Sequence, residues 1–471
     1  MFLEKFLEKT RYKQLLKSIN SPIDMTQGKP WQSILKFTLP MLIGNIAQQL
    51  YSTVDSIVVG NYVGDNALAA VGSVMPILNM ILVLFVGISA GASIMVSQYF
   101  GAKDREALSH TVGNCITATI IACAALIAVA LPVLRPLLKV LNTPDSIFEW
   151  CVDYLSISII GVAGLAYYNI LSGIIRGLGD SFSALVYLLV ATVINIVLDV
   201  YFVAGLGMEV AGVALATIIA QFVSSALCML KLSKMTEYFD FGFKYMKPKA
   251  KYIKTVIRLG LPSGLTQAIF SSAMIVVQSL TNQFGEAFIA ANVIIMRVDG
   301  FAMMPNFSFG MALTTYAGQN VGASRYDRVI KGAKQGTFMA VGCSAAITGV
   351  ILLFGKYLMM LFTDTASLVD MSNRLMRILA VGYIAMAVTQ SLSGIMRGAG
   401  DTTTPMWISL ITSVAVRVPL AYGISFATRT PELPNGMKEC IQISLLCTWI
   451  MGAVLTFIFY KAGKWKTKAI K

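Results

Sequence analysis

Apolar stretches of about 20 residues recur along the whole chain, separated by short polar connections. That is the length an α-helix needs to cross roughly 30 Å of hydrocarbon. The stretches do not alternate residue by residue, as the strands of a membrane β-barrel would. The pattern predicts helices over 32–58, 67–98, 108–135, 149–175, 182–204 and 210–232, then over 257–282, 287–317, 329–359, 370–396, 404–426 and 440–461. The expected fold is an all-α membrane protein with twelve transmembrane helices in two six-helix lobes. One long polar connection, 233–256, is rich in Lys and divides the chain near its middle. The expected organisation is a tail (1–31), an N-lobe (32–232), a linker (233–256), a C-lobe (257–461) and a second tail (462–471). In the first tail Phe2, Leu3, Phe6, Leu7, Leu15, Leu16 and Ile19 recur near helical spacing among Lys and Glu. That spacing fits an interfacial helix or a solvated tail. The segment before Trp31 is charged and lacks a continuous apolar core, so no cleavable signal is expected.

The two halves repeat at a constant offset of 221. S-G-I-I-R-G-L-G-D from Ser172 matches S-G-I-M-R-G-A-G-D from Ser393. Gly64 and Gly285, Gln98 and Gln319, and Gly101 and Gly322 keep the same offset. Leu39-Pro40 and Leu261-Pro262 differ by 222, which implies one inserted residue. Agreement at separated places is the mark of duplication. Six spans per half is an even number, so the halves enter from the same side as parallel repeats, an architecture that places a substrate site between them. In the R-G-x-G-D turns, the glycines allow a tight reversal, and Asp180 and Asp401 can cap the helix that follows.

Composition narrows the class. Of 471 residues, 56% are hydrophobic and 13% charged, too little polar surface for a soluble chain of this length. The formal charge of +14 sits almost entirely in the connections, with no basic stripe interleaved with aromatics, so nucleic acid is not an expected partner. With the N-terminus cytoplasmic, inside segments hold 28 of the 37 basic residues; the outside holds Arg135, Lys139, Lys356, Arg374, Arg377, Arg429 and Lys438. That bias predicts a multi-pass cell-membrane protein with both termini inside. Seven cysteines show no CxxC spacing and read as small hydrophobes. The single histidine, His110, is expected to be solvated at the end of a connection, and no metal site is built on it. No HExxH, phosphate loop or nucleophile motif points to an enzyme.

Ionisable groups at membrane depth are functional candidates. Asp55 in helix one, Asp199 in helix five and Thr217 in helix six all fall in the outer half of the bilayer. Asn195 precedes Asp199 by four residues and shares its face. These four oxygen-bearing side chains make a candidate cation site for H⁺ or Na⁺. Gln48, Tyr51, Ser52 and Asp55 form a polar stripe on helix one, at spacings of three and four. The stripe lines a watery cavity or forms a network that only holds helices together; two carboxylates are a poor choice for the latter. The second half has Val276 and Val277 near the position matching Asp55, and Leu420 at that matching Asp199. It carries Arg297 and Asp299 in helix eight and Arg417 in helix eleven, read either as a buried charge network or as a cavity lining.

These residues resemble the multidrug and toxic compound extrusion (MATE) family over nearly the whole chain. The resemblance rests on L-P-M-L-I-G from Leu39, Y-S-T-V-D-S from Tyr51, the Ser172 motif, N-I-V-L-D from Asn195 and A-G-Q-N-V-G-A from Ala317. The acidic pattern resembles that family's DNA-damage-inducible branch. The resemblance implies that Asp55, Asn195, Asp199 and Thr217 couple a cation. It implies that Gln48, Tyr51, Tyr154 and Asn169 line the substrate cavity, and that Pro40 is where helix one bends. It implies an antiporter in the lipid bilayer that exchanges H⁺ or Na⁺ for amphipathic, often cationic drugs by alternating access; no cofactor is expected, and a monomer is the expected unit because the two halves can enclose the site. A lipid-linked oligosaccharide flippase of the same superfamily is the alternative; it would favour a cationic cavity.

Overall fold

The computed structural model describes the backbone of residues 22–63, 65–141 and 143–470, and the side chains there outside 50–61, 65–66 and 68–69. The expected amphipathic pattern in the first tail lies outside the described residues. The chain is all-helical, with no β-strand among the described residues. Nine described helices are long and apolar enough to cross a membrane, and two bent pairs raise that to eleven. The 33-residue helix Pro30–Tyr62 completes the pattern as span 1.

The first half continues with span 2 (Asp65–Ala102), span 3 (Arg105–Val140) and span 4 (Asp145–Ile160 with Val162–Gly177). Span 5 (Ser181–Asp199) runs on as a π-helical turn, Val200–Gly205, and span 6 is Glu209–Lys234. The second half has span 7 (Ala250–Asn282), span 8 (Glu286–Gly322), span 9 (Tyr326–Met360) and span 10 (Ala366–Ala380 with Gly382–Gly398). Span 11 joins Thr403–Leu410, a π-helical Ile411–Val416 and Arg417–Ala427; span 12 is Cys440–Ala462. Every predicted stretch is a helix. The largest difference is at span 7, which begins at Ala250 rather than 257.

Two features of spans 4 and 10 were not expected. Each is bent, by 47° and 44° respectively. The breaks fall at Gly161 and at Val381, the latter next to Gly382; Gly161 and Gly382 are related by the same offset of 221, so the duplication keeps a glycine at each bend. A Cβ on Gly161 would lie 2.2 Å from Ile218, and one on Gly382 would lie 2.4 Å from the Trp449 ring. The missing side chains let each bent helix lie against its neighbour. Beyond the bends, small residues bring backbones together, as expected where lipid offers no hydrophobic drive for helix association. Gly173 meets Ser89 and Gly177 meets the Ser93 carbonyl; Gly394 meets the Gly310 carbonyl and Gly398 the Thr314 carbonyl. All four contacts repeat at the same offset.

The R-G-x-G-D turns cap as expected. Asp180 accepts from the Ser183 backbone N–H at 2.8 Å and from its hydroxyl at 2.7 Å, with Lys231 Nζ at 3.2 Å. Asp401 accepts from the Thr404 N–H at 3.2 Å and from the Thr404 and Thr403 hydroxyls at 2.8 and 3.2 Å.

The contacts divide the chain into two compact units. The first includes Leu35–Gly260; the second joins Thr26–Ile34 to Leu261–Lys471. In the first unit the segment leading to span 7 is fastened onto span 3. Arg105 donates to the carbonyls of Thr236 and Glu237 at 2.7 and 2.8 Å and pairs with Asp240 at 2.6 Å. This contact holds the Asp240 carboxyl below the usual carboxylate range. Asn114 accepts from the Lys249 N–H at 2.6 Å, and Thr117 donates to the Met246 carbonyl at 2.7 Å. In the second unit the segment leading to span 1 is held in the same manner. Arg325 donates to the Thr26 carbonyl at 2.7 Å, and Arg328 to those of Gln27 and Gly28 at 2.9 and 3.0 Å. Gln335, the counterpart of Asn114 in the repeat, accepts from the Trp31 N–H at 3.1 Å.

His110 corrects an expectation. It is buried, not solvated, because the linker folds over it: Tyr245 meets its edge, Tyr252 stacks on it, and Lys249 Nζ lies 2.7 Å from Nε2.

Because Gly394 faces backbone that cannot move aside, Gly394→Val should cost about 1–3 kcal/mol of stability. A lower thermal midpoint in detergent is the expected reading. An unchanged midpoint would show that the contact is not close.

Candidate functional site

In the first unit, span 5 carries Asn195 and Asp199 on one face, and both are fully buried. The Asn195 amide donates to the Thr217 hydroxyl of span 6 at 3.4 Å. Asn195 Oδ1 accepts no hydrogen bond from a described residue. Asp199 ends the α-helical part of span 5, and the π-helical turn begins at the next residue. Such turns inside helices are frequent at functional sites. A buried carboxylate here must be protonated, hydrogen-bonded or beside a cation.

Tyr154 is buried in the same apolar cluster as Val203, Val210, Val213 and Ala214. These residues flank Asp199 and Thr217 in sequence, so the structure brings Tyr154 to this region. Asn169 is spent differently: its amide donates to the Leu165 carbonyl of its own helix at 2.8 Å. Its backbone carbonyl accepts from Ser89 and Ser172 at 2.6 and 3.1 Å. Gln48 is exposed on span 1. Tyr51 and Asp55 lie on the helical backbone of span 1, with side chains outside the described set. Pro40 sits within span 1, whose helix runs through it without a break.

The second unit carries a different polar group. Tyr383, two residues after the break at Val381, is fully buried and donates to Asp299 Oδ1 at 2.8 Å. Arg417 follows the π-helical turn of span 11, is 8% exposed, and its Nε has no hydrogen-bond partner among the described residues. Of the three charges read together from sequence, Arg417 is thus buried, Asp299 is half-buried and hydrogen-bonded, and Arg297 is exposed. Next to Tyr383, Ser344 donates to Asn306 Oδ1 at 2.7 Å, and the Asn306 amide reaches the Tyr383 carbonyl at 3.3 Å. Sequence reading missed Tyr383, Asn306 and Ser344. The matched positions of Gly161 and Gly382 in the repeat were the available signal for the bend. Among the described residues no three His, Cys, Asp or Glu side chains gather as a metal site.

Tyr383→Phe should leave the Asp299 carboxylate without its donor and cost about 1–3 kcal/mol. Thermal unfolding of Tyr383→Phe, Asp299→Asn and the double variant checks this. Strict additivity would mean that the pair is not coupled.

The family model described as MatE matches residues 40–201 and again 262–423. A probable multidrug resistance protein of Bacillus subtilis, YoeA, is 27% identical over 435 residues, covering 90% of this chain and 94% of the relative. A probable multidrug resistance protein of Thermotoga maritima, NorM, is 25% identical, covering 93% of this chain and 94% of its own. The solved outward-facing structure of a multidrug resistance MATE family transporter of the MOP superfamily superposes with a TM-score of 0.87. It is 24% identical and covers 94% of this chain and 98% of that one.

Proposed function

This chain belongs to the MatE family, whose members are membrane transporters and not enzymes, and from that premise we propose that it is a multidrug exporter driven by H⁺ or Na⁺. The observation that carries the proposal is the fully buried Asp199 of the first unit, with the buried Asn195 one helical turn before it bonded to Thr217. Oxygen donors of this kind suit either ion. Asp55 is proposed to complete the group from span 1. Gln48, Tyr51 and Tyr154 are proposed to face the substrate; Asn169 has less claim, since its amide is engaged locally. The names of the relatives support drugs as cargo.

The physical logic is competition. Two carboxylates in a partly desolvated cavity attract an organic cation, while the apolar wall accepts its rings. Binding of H⁺ or Na⁺ neutralises them and weakens the hold on the drug. The two ligands are then linked by competition for these carboxylates or through a bend of span 1 at Pro40, within an alternating-access cycle. Asp299, Tyr383 and Arg417 form the polar core of the second lobe in this reading. Both termini are cytoplasmic, in line with the excess of Lys and Arg in the connections on that side, and the working unit is a monomer. The first lobe's acidic pattern supports the DNA-damage-inducible branch; no comparison favours the flippase alternative.

Inverted vesicles of known orientation, with a proton or a sodium gradient imposed separately, test this by export of ethidium. Export under one gradient identifies the ion. Asp199→Asn keeps the shape of the side chain but removes its charge, and should abolish gradient-driven export. Full export by that variant would refute the assignment of the site.

A further inference from the structure

The start of span 7 carries a cationic surface apart from the polar groups described above. Span 7 is 33 residues long, about 50 Å at 1.5 Å per residue. Hydrocarbon takes up only about 20 of them. No charged residue lies between Arg258 and Glu286, so the apolar stretch begins after Arg258. The turns before it therefore stand at headgroup level. There Lys251, Lys254 and Arg258 are all exposed and share one helical face, at spacings of three and four. Beside that face runs an open groove of about 500 Å³ lined by Pro248, Ala250, Ile253, Lys254 and Ile257. The surface is held in place from behind, because Asn114 and Thr117 of span 3 bond the backbone of Lys249 and Met246.

No segment neighbour neutralises this face. No Asp or Glu occurs between Asp240 and Glu286. None of the three cations pairs with a carboxylate among the described residues; the ion pair nearby is Arg105 with Asp240. The corresponding face of span 1 keeps only Lys29 and Lys36, with Gln32 at the middle position.

We propose that this face is a binding site for an anionic phospholipid. Lys251, Lys254 and Arg258 hold the headgroup phosphate, and an acyl chain lies along the Ile253 and Ile257 side of the groove. Basic clusters immediately outside a membrane helix attract anionic lipid in this way, and the neighbouring apolar strip favours a lipid over a soluble anion. That the leaflet is the cytoplasmic one rests on the orientation proposed above; the lipid chemistry does not.

Native mass spectrometry of the full chain in detergent tests the site without reference to transport. Delipidated protein would be resupplied with phosphatidylglycerol or phosphatidylcholine. Phosphatidylglycerol adducts should dominate. The triple variant Lys251→Gln, Lys254→Gln, Arg258→Gln should weaken them by about fivefold for each charge removed. The double variant Lys251→Arg, Lys254→Arg should keep them. Equal retention of the two lipids would overturn the proposal. So would phosphatidylglycerol binding unchanged in the triple variant, or an arginine variant that loses as much as the glutamine one.

Discussion

A chain in hydrocarbon has no water to complete its backbone hydrogen bonds, so each crossing segment must close them internally. The absence of strands among the described residues follows from this, and so does much of the side-chain chemistry. Hydroxyls inside the spans turn back onto their own helix: Thr111 donates to the Ala107 carbonyl, Thr119 to Cys115, Ser308 to Met304 and Thr448 to Ser444. Polar groups that cannot be satisfied locally must meet across helices, as Asn195 and Thr217 do in one half and Tyr383 and Asp299 in the other. Helices surrounded by lipid also gain nothing from burying apolar surface against one another. They adhere through close contact, and the glycines of spans 4 and 10 supply it.

Duplication has preserved the frame and let the chemistry diverge. Bends, small-residue contacts and aspartate caps recur at one offset in both halves. The caps themselves already differ: Asp180 holds a lysine where Asp401 holds two threonines. The interiors differ more. One half buries an amide and a carboxylate four residues apart on span 5. The other buries an arginine on span 11 and binds its carboxylate with a tyrosine. The π-helical turns adjoin these groups, one directly after Asp199 and one directly before Arg417.

The spans were legible because hydrophobic runs of bilayer length have few other meanings. The repeat was legible because its turns need Gly and Asp at fixed places. The bends beside Gly161 and Gly382 were hidden, since a glycine within an apolar run looks the same whether it adjoins a bend or merely packs. The carboxylate of Asp299 was legible, but its partner Tyr383 comes from a span 84 residues away, and no local spacing records such a pairing. The burial of His110 was hidden for the same reason. Its position near a helix end suggested water, whereas the linker segment around Lys249, far along the chain, covers it. Asp199 and Asn195 were legible as one face of one helix.

The fastening of Thr26–Ile34 within the second unit also bears on how the chain is made. Its partners Arg325, Arg328 and Gln335 lie about 300 positions further on. During synthesis the leading segment emerges early and has to wait for most of the protein to follow. The second compact unit draws on residues from both ends of this stretch of chain, and a cut in the linker would part Thr26–Ile34 from its partners. Contacts this distant in sequence form late and slowly. The contacts that hold Thr26–Ile34 therefore form only after synthesis has passed Gln335.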